Sequence, residues 1–508
     1  GLGLLAIVGG LVWFNSSLER MVSHDDDYLK EKTTPESIIA FCGDCHPMPD
    51  ASIFPKSAWK MEVERGYQFF EKSGLSLSPP PLMDVVKFFE DAAPESLPVR
   101  ERRPEKLQGW ERLESPPWST DKKSPPFAIS NLKWAPLNKG EDPVLIACDM
   151  KKGVIAAWNP KKANEGWRTL VTAENPAHVE VVDLDADGFS DLLVADLGSF
   201  LPTDAKKGKA LWYRGSQTGF LPPITILDDV GRVTDIQVLQ DRSKGPLELV
   251  VAVFGWNTTG EVYFVRENPQ ASKEPPKNGM FEKKVIDNRH GAIHVPVADW
   301  NNDGKNDFVA LFGQEHEAVT LYLNRGNGDF EIRNIYQGNH PGLGSSGIQQ
   351  VDLDGDGDLD LLVSNGDVLD LPYLLKPYHA VFWLENKGSL NFEPHSVGPM
   401  YGVHRALAMS GPWKKTSNLA EIVSVAFLPR EGFPQRETMD LESIIVWKPD
   451  AQGNYSPRVL ESKTADYVTG EVGDFFGTGD TCVAVGNFSG KGPPVVVYRP
   501  TTKAAKDP

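Results

Sequence analysis

An acidic loop of nine residues recurs along this chain, and it limits the folds open to the chain more than any other feature. Asp or Asn stands at loop positions one, three, five and nine, Gly stands at position six, and an apolar strand follows. Complete copies occupy residues 183–191, 299–307 and 352–360. Weaker copies begin near residues 240, 410 and 474, and a seventh repeat without the loop ends at residues 143–147. Matching positions lie 53 to 64 residues apart, a period typical of units that must stack to bury their apolar faces.

The end of each repeat follows a second pattern, in which the closing strand opens on a small or polar residue and an aromatic one, as at Gly166 and Trp167. Four strands per repeat and seven repeats predict an all-β, seven-bladed propeller over residues 104–501, followed by a tail at residues 502–508. The last repeat lacks a closing strand, whereas residues 109–114 have its pattern. We therefore expect the 109–114 strand to complete the last blade, which leaves no open sheet edge in the ring.

The repeats resemble the FG-GAP/VCBS family of integrin-type and bacterial seven-bladed propellers. In that family the acidic loop binds Ca²⁺, and hard oxygen donors on a tight Gly turn suit this ion. The resemblance implies three sets of side-chain ligands: Asp183, Asp185, Asp187 and Asp191; Asp299, Asn301, Asp303 and Asp307; and Asp352, Asp354, Asp356 and Asp360. The carbonyl groups at loop position seven would add further oxygens, from Phe189, Lys305 and Asp358. The role of this calcium would be structural.

Two alternatives to a calcium loop of this kind were open. An EF-hand is excluded because its twelfth position must be Glu, and the corresponding residues are Val194, Ala310 and Val363. A turn held by Asx hydrogen bonds without metal remains open. The copy that starts at Asp474 has Phe476 and Thr478 in place of Asp, so a metal ion is not expected there.

The segment Cys42-Gly43-Asp44-Cys45-His46 has the C-x-x-C-H spacing of haem attachment sites. Two thiols one helical turn apart form thioethers with the haem vinyl groups, and the adjacent His ligates the iron. A zinc site would need a second Cys or His pair nearby, and a thioredoxin-like motif would need a βαβ setting; the sequence offers neither. We therefore expect one haem c on Cys42, Cys45 and His46, within a small all-α c-type cytochrome domain over residues 23–103.

The second axial ligand of this haem is less constrained by the sequence. Helices are predicted over residues 57–74 and 83–92, and cytochromes of this kind often use a Met near the start of the last helix. Met83 fits that placement, Met61 in the middle helix is its rival, and Met48 is too close to His46. For each Met the alternative is a core-filling role. Met83 is preferred.

The first residues of the chain are uninterruptedly apolar. Residues 1–14 are fewer than the roughly 20 that span a bilayer, but Trp13 and Phe14 suit a membrane interface. No small-x-small cleavage site follows, which favours an uncleaved anchor over residues 1–22 rather than a removed signal peptide. The fold class expected for the whole chain is therefore multidomain, with an N-terminal transmembrane helix, a cytochrome domain and a propeller on the periplasmic side of a bacterial membrane.

Histidines concentrate on one face of the predicted propeller. Seven of the eight in the repeats fall at the starts of first strands or in loops between second and third strands, which lie opposite the acidic loops. His178 and His294 share one repeat position near the axis, His404 lies within one residue of it, and Asp235 fills it in the third repeat. These four residues are a candidate second site for a transition metal or a polar ligand. The alternative is repeat ancestry, with imidazoles bonded to neighbouring backbone.

Charge and cysteine content narrow the function further. The net charge of −18 argues against a nucleic-acid partner. Of four cysteines, two lie in the haem motif, while Cys148 and Cys482 stand far apart, so the chain is not a disulfide scaffold and any pairing between these two stays open.

Three functions are consistent with this organisation. A C-x-x-C-H domain ahead of such a propeller resembles a group of exported bacterial proteins, from which no activity transfers directly. The preferred hypothesis is a membrane-anchored periplasmic c-type cytochrome with a calcium-stabilised propeller, acting in electron transfer as a subunit or docking partner of a membrane redox complex. The first alternative is an oxidoreductase with a metal or substrate site on the His-rich face. The second is an adhesion or glycan-binding module.

Overall fold

The computed structural model describes residues 33–44, 46–100, 104–118, 126–268, 280–409 and 418–501. The anchor predicted over residues 1–22, the haem-motif residue Cys45 and the tail predicted over residues 502–508 lie outside these ranges. Within them, every helix is too short or too polar to cross a bilayer.

Three α-helices form a small N-terminal unit: α1 (Pro35–Cys42), α2 (Lys56–Ser73) and α3 (Leu82–Ala92). Thr34 caps α1, because its side-chain oxygen accepts a hydrogen bond from the Ser37 N–H while the Ser37 hydroxyl accepts one from the Thr34 N–H. The apolar faces of α2 and α3 meet where the Trp59 and Phe89 rings stack 4.0 Å apart. α2 and α3 agree with the ranges predicted over residues 57–74 and 83–92 to within one residue at each end.

The remaining secondary structure consists of 30 strands in the described chain. Two of them precede the first complete blade: β1 (Glu105–Lys106) and β2 (Trp110–Glu114). Blade 1 contains β3 (Ile129–Ala135), β4 (Val144–Asp149), β5 (Val154–Trp158) and β6 (Arg168–Thr172). Blade 2 contains β7 (Pro176–Val182), β8 (Asp191–Asp196), β9 (Gly208–Tyr213) and β10 (Ile224–Val230). Blade 3 contains β11 (Val233–Gln240), β12 (Glu248–Val253), β13 (Glu261–Glu267) and β14 (Phe281–Asp287).

The second half of the ring repeats this pattern. Blade 4 contains β15 (Ala292–His294), β16 (Val297–Ala298), β17 (Asp307–Phe312), β18 (Ala318–Gly326) and β19 (Asp329–Gln337). Blade 5 contains β20 (Ser345–Val351), β21 (Asp360–Asn365), β22 (Ala380–Asn386) and β23 (Phe392–Pro399). Blade 6 contains β24 (Val403–Met409), β25 (Glu421–Ala426), β26 (Glu442–Pro449) and β27 (Tyr455–Ser462). Blade 7 contains β28 (Tyr467–Gly473), β29 (Cys482–Asn487) and β30 (Val495–Pro500).

The blades are arranged as a closed ring around an axis. First strands of successive blades contact one another, and the last of them, β28, contacts the first, β3. The central strands β8, β12, β17, β21 and β29 are buried along their whole length, because each is covered on both faces by neighbouring blades. This explains why they are apolar throughout instead of alternating. The predicted seven-bladed, all-β propeller is thereby confirmed.

The ring is joined by the strand that precedes blade 1. β2 pairs antiparallel with β30, with Leu113 opposite Val497, and the Ser115 N–H donates to the Val495 carbonyl at 2.9 Å. This is the pairing expected from the 109–114 pattern, and it gives blade 7 its fourth strand. A second contact was not expected: β1 pairs in parallel with β27 of blade 6. The ends of the propeller are therefore bound to two adjacent blades.

Cys148 and Cys482 are free thiols in two adjacent blades of the ring. Cys148 lies in β4 of blade 1 and Cys482 in β29 of blade 7, and both are fully buried in the core. Burial raises the pKa of the Cys482 thiol to about 12. Both cysteines therefore act as small apolar core residues.

The helical unit sits on the propeller face that bears the histidines. Arg65 of α2 donates through Nη2 to the Leu371 carbonyl at 2.8 Å, and its Nη1 lies 3.8 Å from Asp370 Oδ2. Both partners belong to residues 366–379, a long loop between β21 and β22 of blade 5. Phe54 also packs against the propeller, where a side chain added at Gly342 would meet its ring.

Candidate functional site

A cavity of about 500 Å³ lies between the helical unit and the propeller. All seven blades contribute to its propeller wall through the starts of their first strands: Ser130, Ala177, Thr234, Ile293, Ser346, His404 and Val468. The cavity therefore sits over the axis of the ring, on the face where the sequence places the histidines. Its volume is in the range of small-molecule and cofactor sites.

The helical wall of the cavity is largely aromatic. The Phe41 ring lies 5.4 Å from Tyr67 and 5.0 Å from Phe70, measured between centroids, and Phe54 and Val63 continue the surface. Burial raises the pKa of Tyr67, and the nearby Cys42 adds to the shift. The Tyr67 hydroxyl donates to the Pro80 carbonyl. This wall is suited to a flat, apolar group.

Two of the predicted haem-binding residues open onto this cavity. Cys42 is the last residue of α1, and both Cys42 and His46 are half-buried and line the cavity. His46 Nδ1 lies 3.0 Å from the Pro47 carbonyl, an acceptor, so this contact places the ring proton on Nδ1 and leaves Nε2 unprotonated in the neutral ring. The thiol, imidazole and aromatic wall fit a covalently attached haem.

The predicted methionine ligands are not brought to the cavity. The exposed fraction is 59% for Met83 and 43% for Met61, and neither residue lines it. Met83 lies in the first turn of α3 and Met61 on the outer side of α2. The helix faces that bury Val85 and Val63 are turned toward the core, so both Met side chains are turned away from the cavity. The structure instead places His404 on the wall that the propeller contributes.

His404 has a nitrogen available on that wall. Its ring packs 5.8 Å from Phe427, its Nε2 is buried without a hydrogen-bond partner in the described part of the chain, and burial lowers its pKa to about 4. A neutral imidazole with an unpartnered nitrogen can act as a metal ligand.

Sequence reasoning missed the titratable side chains that line the same cavity, among them the buried Glu317 and Lys376. Glu317 is 3% exposed and accepts hydrogen bonds from the Gly344 N–H at 3.1 Å and the Ser345 N–H at 2.8 Å. Burial raises its pKa to about 8. Lys376, from the long blade 5 loop, is also buried and lies over the Phe54 ring. The only signal for Lys376 was the unusual length of that loop.

Three of the four residues in the predicted second site meet at the axis. His178 Nε2 lies 3.4 Å from Asp235 Oδ1, and His294 Nδ1 lies 3.5 Å from Asp235 Oδ2. His404 does not join them. Its neighbour Arg405 does, with Nη1 3.3 Å from His294 Nε2, because successive residues of a strand point to opposite faces.

These residues form an ion-pair network, the axial cluster of His178, Glu180, Asp235, His294 and Arg405. His178 Nε2 is 2.8 Å from Glu180 Oε1, and Lys133 Nζ is 2.7 Å from Glu180 Oε2. Burial opposes ionisation of Asp235, but the adjacent His178 and His294 hold its pKa well below its usual range. Burial also opposes charging of His178, yet Asp235 and Glu180 keep its pKa raised. The carboxylates of the axial cluster are therefore paired with its imidazoles.

The acidic loops share one internal hydrogen-bond pattern on the opposite face. The ninth residue of each loop is buried and accepts one N–H from the loop and one from a residue near the end of the third strand. The Asp191 carboxylate accepts hydrogen bonds from the backbone N–H groups of Leu184 and Gly215. In the same way, Asp307 accepts from Trp300 and Asn324, and Asp360 accepts from Leu353 and Asn386. The ninth Asp therefore ties the loop to its blade, in addition to any part in metal binding.

Carboxylates converge in two of the three loops. Oxygens of Asp183, Asp185 and Asp191 lie within 4.8 Å of one another, as do those of Asp352, Asp354 and Asp356. Burial and then the neighbouring Asp187 raise the pKa of Asp185, and one of its oxygens is buried without a partner in the described structure. In the remaining loop, Asn301 and Asp303 contact each other and Lys305 Nζ lies 3.7 Å from Asp303 Oδ2.

Comparison with known proteins supports the class of the propeller. Residues 299–363 match the FG-GAP-like repeat family, and this segment spans two acidic loops in blades 4 and 5. A seven-bladed ring with this repeat fits an FG-GAP repeat protein. No curated protein matches the chain. A solved structure described as BBS1N in complex with ARL6DN, soaked with lead, is 11% identical over 79% of this chain and 99% of its own, with a TM-score of 0.43.

Proposed function

We propose that this protein is a c-type cytochrome that transfers electrons, with one haem attached to Cys42 and Cys45 and held between the helical unit and the propeller. The observation that carries the proposal is the shared cavity: Cys42 and His46 open onto a space of about 500 Å³ whose helical wall is largely aromatic. When bound there, haem supplies a reversible one-electron couple.

The residues of this chain would have distinct roles around the haem. His46, held through Nδ1 by the Pro47 carbonyl, presents Nε2 as the proximal ligand. Phe41 and Phe70 exclude water from the helical side, which favours the less charged state of a metal centre. On the propeller side we propose that His404, in place of Met83, would provide the second protein ligand of the haem iron, because its Nε2 is buried and unpartnered within the described structure.

Covalent attachment tests the haem directly. The full chain would be expressed with a c-type maturation system, denatured, and stained for haem on a gel. We expect one covalent haem per chain in the wild type and none in the C42A/C45A variant. The C148A and C482A variants are matched controls, because both thiols are buried far from the motif, and they should keep the haem. A wild-type protein that matures without covalent haem would refute the proposal.

The second ligand is tested by the absorption and EPR spectra of the oxidised haem. H404A should convert a low-spin haem to a high-spin one while covalent attachment stays complete. M83A and M61A should leave the spectra unchanged, because both side chains are exposed away from the cavity. The reverse pattern, with M83A changing the spin state and H404A having no effect, would restore the methionine.

The proposal includes a membrane redox complex as the electron partner, with residues 1–22 attaching the protein to the periplasmic side of a bacterial membrane. It further includes Ca²⁺ in the acidic loops of blades 2, 4 and 5.

Membrane fractionation followed by an alkaline wash tests the attachment of the protein to the membrane through residues 1–22. Release of the intact protein into the washed supernatant would contradict it.

A further inference from the structure

Three side chains of blade 4 hold buried polar atoms that lack a partner. His290 precedes β15, and Glu315 and His316 lie in the loop between β17 and β18. Nε2 of both imidazoles and Oε2 of Glu315 are buried and make no hydrogen bond within the described chain. Unpartnered buried polar atoms are unfavourable and rare in native proteins, so three together indicate a missing partner.

The three side chains, here called the blade 4 triad, converge on one another. One ligand atom from each lies within 4.8 Å of the others. The His290 and His316 rings are 5.0 Å apart, and His290 Nε2 lies 2.8 Å from Glu315 Oε1. That contact has the length of a hydrogen bond but not its alignment. The atoms are thus placed to share a third partner.

The loop that carries Glu315 and His316 is held in a fixed and strained conformation. Gln314 and Glu317 flank the pair with φ values of +57° and +40°, which L-residues rarely adopt. The Gln337 side-chain amide donates to the His316 carbonyl at 2.6 Å, and the Glu317 carboxylate is held by two backbone N–H groups of blade 5. Strain of this kind persists only where surrounding contacts impose it, and it concentrates at functional sites.

We infer that the blade 4 triad binds one divalent transition-metal ion. Two imidazole nitrogens and one carboxylate oxygen form a donor set used for Zn²⁺ and Fe²⁺ in proteins, unlike the all-oxygen loops suited to Ca²⁺. Three protein ligands leave at least one coordination position open. Glu315 lines the cavity under the helical unit, so a ligand in that cavity can reach the metal.

Charges around the triad are compatible with a cation. The nearest guanidinium, Arg289, is neutralised by Asp287, with Nη2 2.7 Å from Oδ2, and it donates further to Thr320 and Tyr322. The Phe69 ring of α2 lies 6.3 Å from the His290 ring and shields it from solvent. The triad therefore lies mostly out of solvent, with the His290 and Glu315 side chains 15% and 18% exposed, and its one carboxylate faces the His290 imidazole.

A second group of similar composition provides a contrast. Glu385, Glu393 and His395 also converge, on the outer strands of blade 5. There Glu385 is already bonded to Lys387 at 2.8 Å, and the His395 side chain is 38% exposed. A competing ammonium group and open solvent make this group the weaker ligand set, so His395 serves as a control.

Metal analysis of the full chain tests the inference, and it does not depend on haem. The protein would be stripped with EDTA, supplied with excess Ca²⁺ to fill the acidic loops, and equilibrated with Zn²⁺ before elemental analysis. We expect H316A and E315Q to bind one equivalent of zinc less than the wild type, and H395A to match the wild type. Zinc held by the C-x-x-C-H motif would appear equally in all four proteins and cancel.

Thermal unfolding provides the second measurement and guards against misfolded variants. Zn²⁺ should raise the Tm of the wild type and of H395A but not that of H316A or E315Q, while the Tm values without zinc show whether the variants fold. Loss of the zinc equivalent in H395A, or equal zinc content in the wild type and both triad variants, would overturn the inference. The inference would also be overturned if Zn²⁺ left the Tm of the wild-type protein unchanged.

Discussion

At the scale of single residues, the buried carboxylate of Asp235 organises the propeller axis. It is 2% exposed and faces imidazoles from blades 2 and 4, and the Val295 N–H donates to it at 2.9 Å. Such a charge is tolerated in the core only because partners from several blades surround it. Lys133 pairs with Glu180 at the edge of the axial cluster, and Arg405 contacts His294 within it.

The variant D235N should destabilise the ring by about 3 kcal/mol near pH 5 to 6. The pKa of Asp235 is lowered on folding, so its contribution is present above about pH 4 and lost below it. The pKa of His178 is raised on folding, so the attraction between His178 and Asp235 weakens as the pH rises above about 6.5. The difference in unfolding free energy between D235N and the wild type would be measured by denaturant unfolding at several pH values. D228N is the control, because Asp228 is exposed. An equal penalty at pH 5.5 and pH 9 would contradict it.

At the scale of elements, the acidic loops show how one repeated segment takes on two tasks. The ninth Asp fixes the loop to its own blade through backbone hydrogen bonds, while the earlier acidic residues gather oxygens at the surface. The incomplete copy makes the distinction clear, because Cys482 replaces the ninth Asp while Asp474 still accepts the Thr478 and Gly479 N–H groups. The hydrogen bonds that hold the turn are therefore retained in a loop that lacks the full set of metal-ligating side chains.

We expect D354N to reduce the number of bound Ca²⁺ ions by one and to lower the Tm in the presence of Ca²⁺. The physical reason is the loss of one anionic oxygen from a loop whose carboxylates otherwise repel one another. D480N, in the incomplete loop, should change neither quantity. Elemental analysis and thermal unfolding with and without EGTA would measure both. If EGTA leaves the wild-type Tm unchanged, the loops are Asx turns without a structural metal.

At the scale of the whole molecule, the helical unit is a cap on the ring. One long loop of blade 5 provides polar anchorage through Asp370 and Leu371, which contact Arg65. Arg100, in the connection to the propeller, pairs with Glu442 of blade 6 at 2.5 Å. Because the cavity exists only between the two units, loosening the cap should expose its lining.

R65A should increase hydrogen exchange in α2 and α3 by about tenfold, because a charge-assisted hydrogen bond to the Leu371 carbonyl is lost. K60A, on the exposed side of α2, is the matched control and should leave exchange unchanged. Mass spectrometry of exchanged peptides would follow both. Equal exchange in R65A and the wild type would mean that apolar packing alone holds the cap.

The sequence by itself determined the parts of this protein that are encoded locally. A repeat carries its strand pattern and its acidic loop within a single period, so seven blades and the joining strand at residues 109–114 could be predicted without any knowledge of packing. The Cys42 to His46 spacing is equally local.

Only the tertiary structure decided which distant residues meet. It set the helical unit on the His-rich face, turned Met83 outward and brought His404 to the cavity, because the docking of two units depends on surfaces that no local pattern records. It also placed Arg405 rather than His404 at the axis, since one residue of register reverses a strand side chain. Likewise, a strained loop was needed to bring His316 to His290.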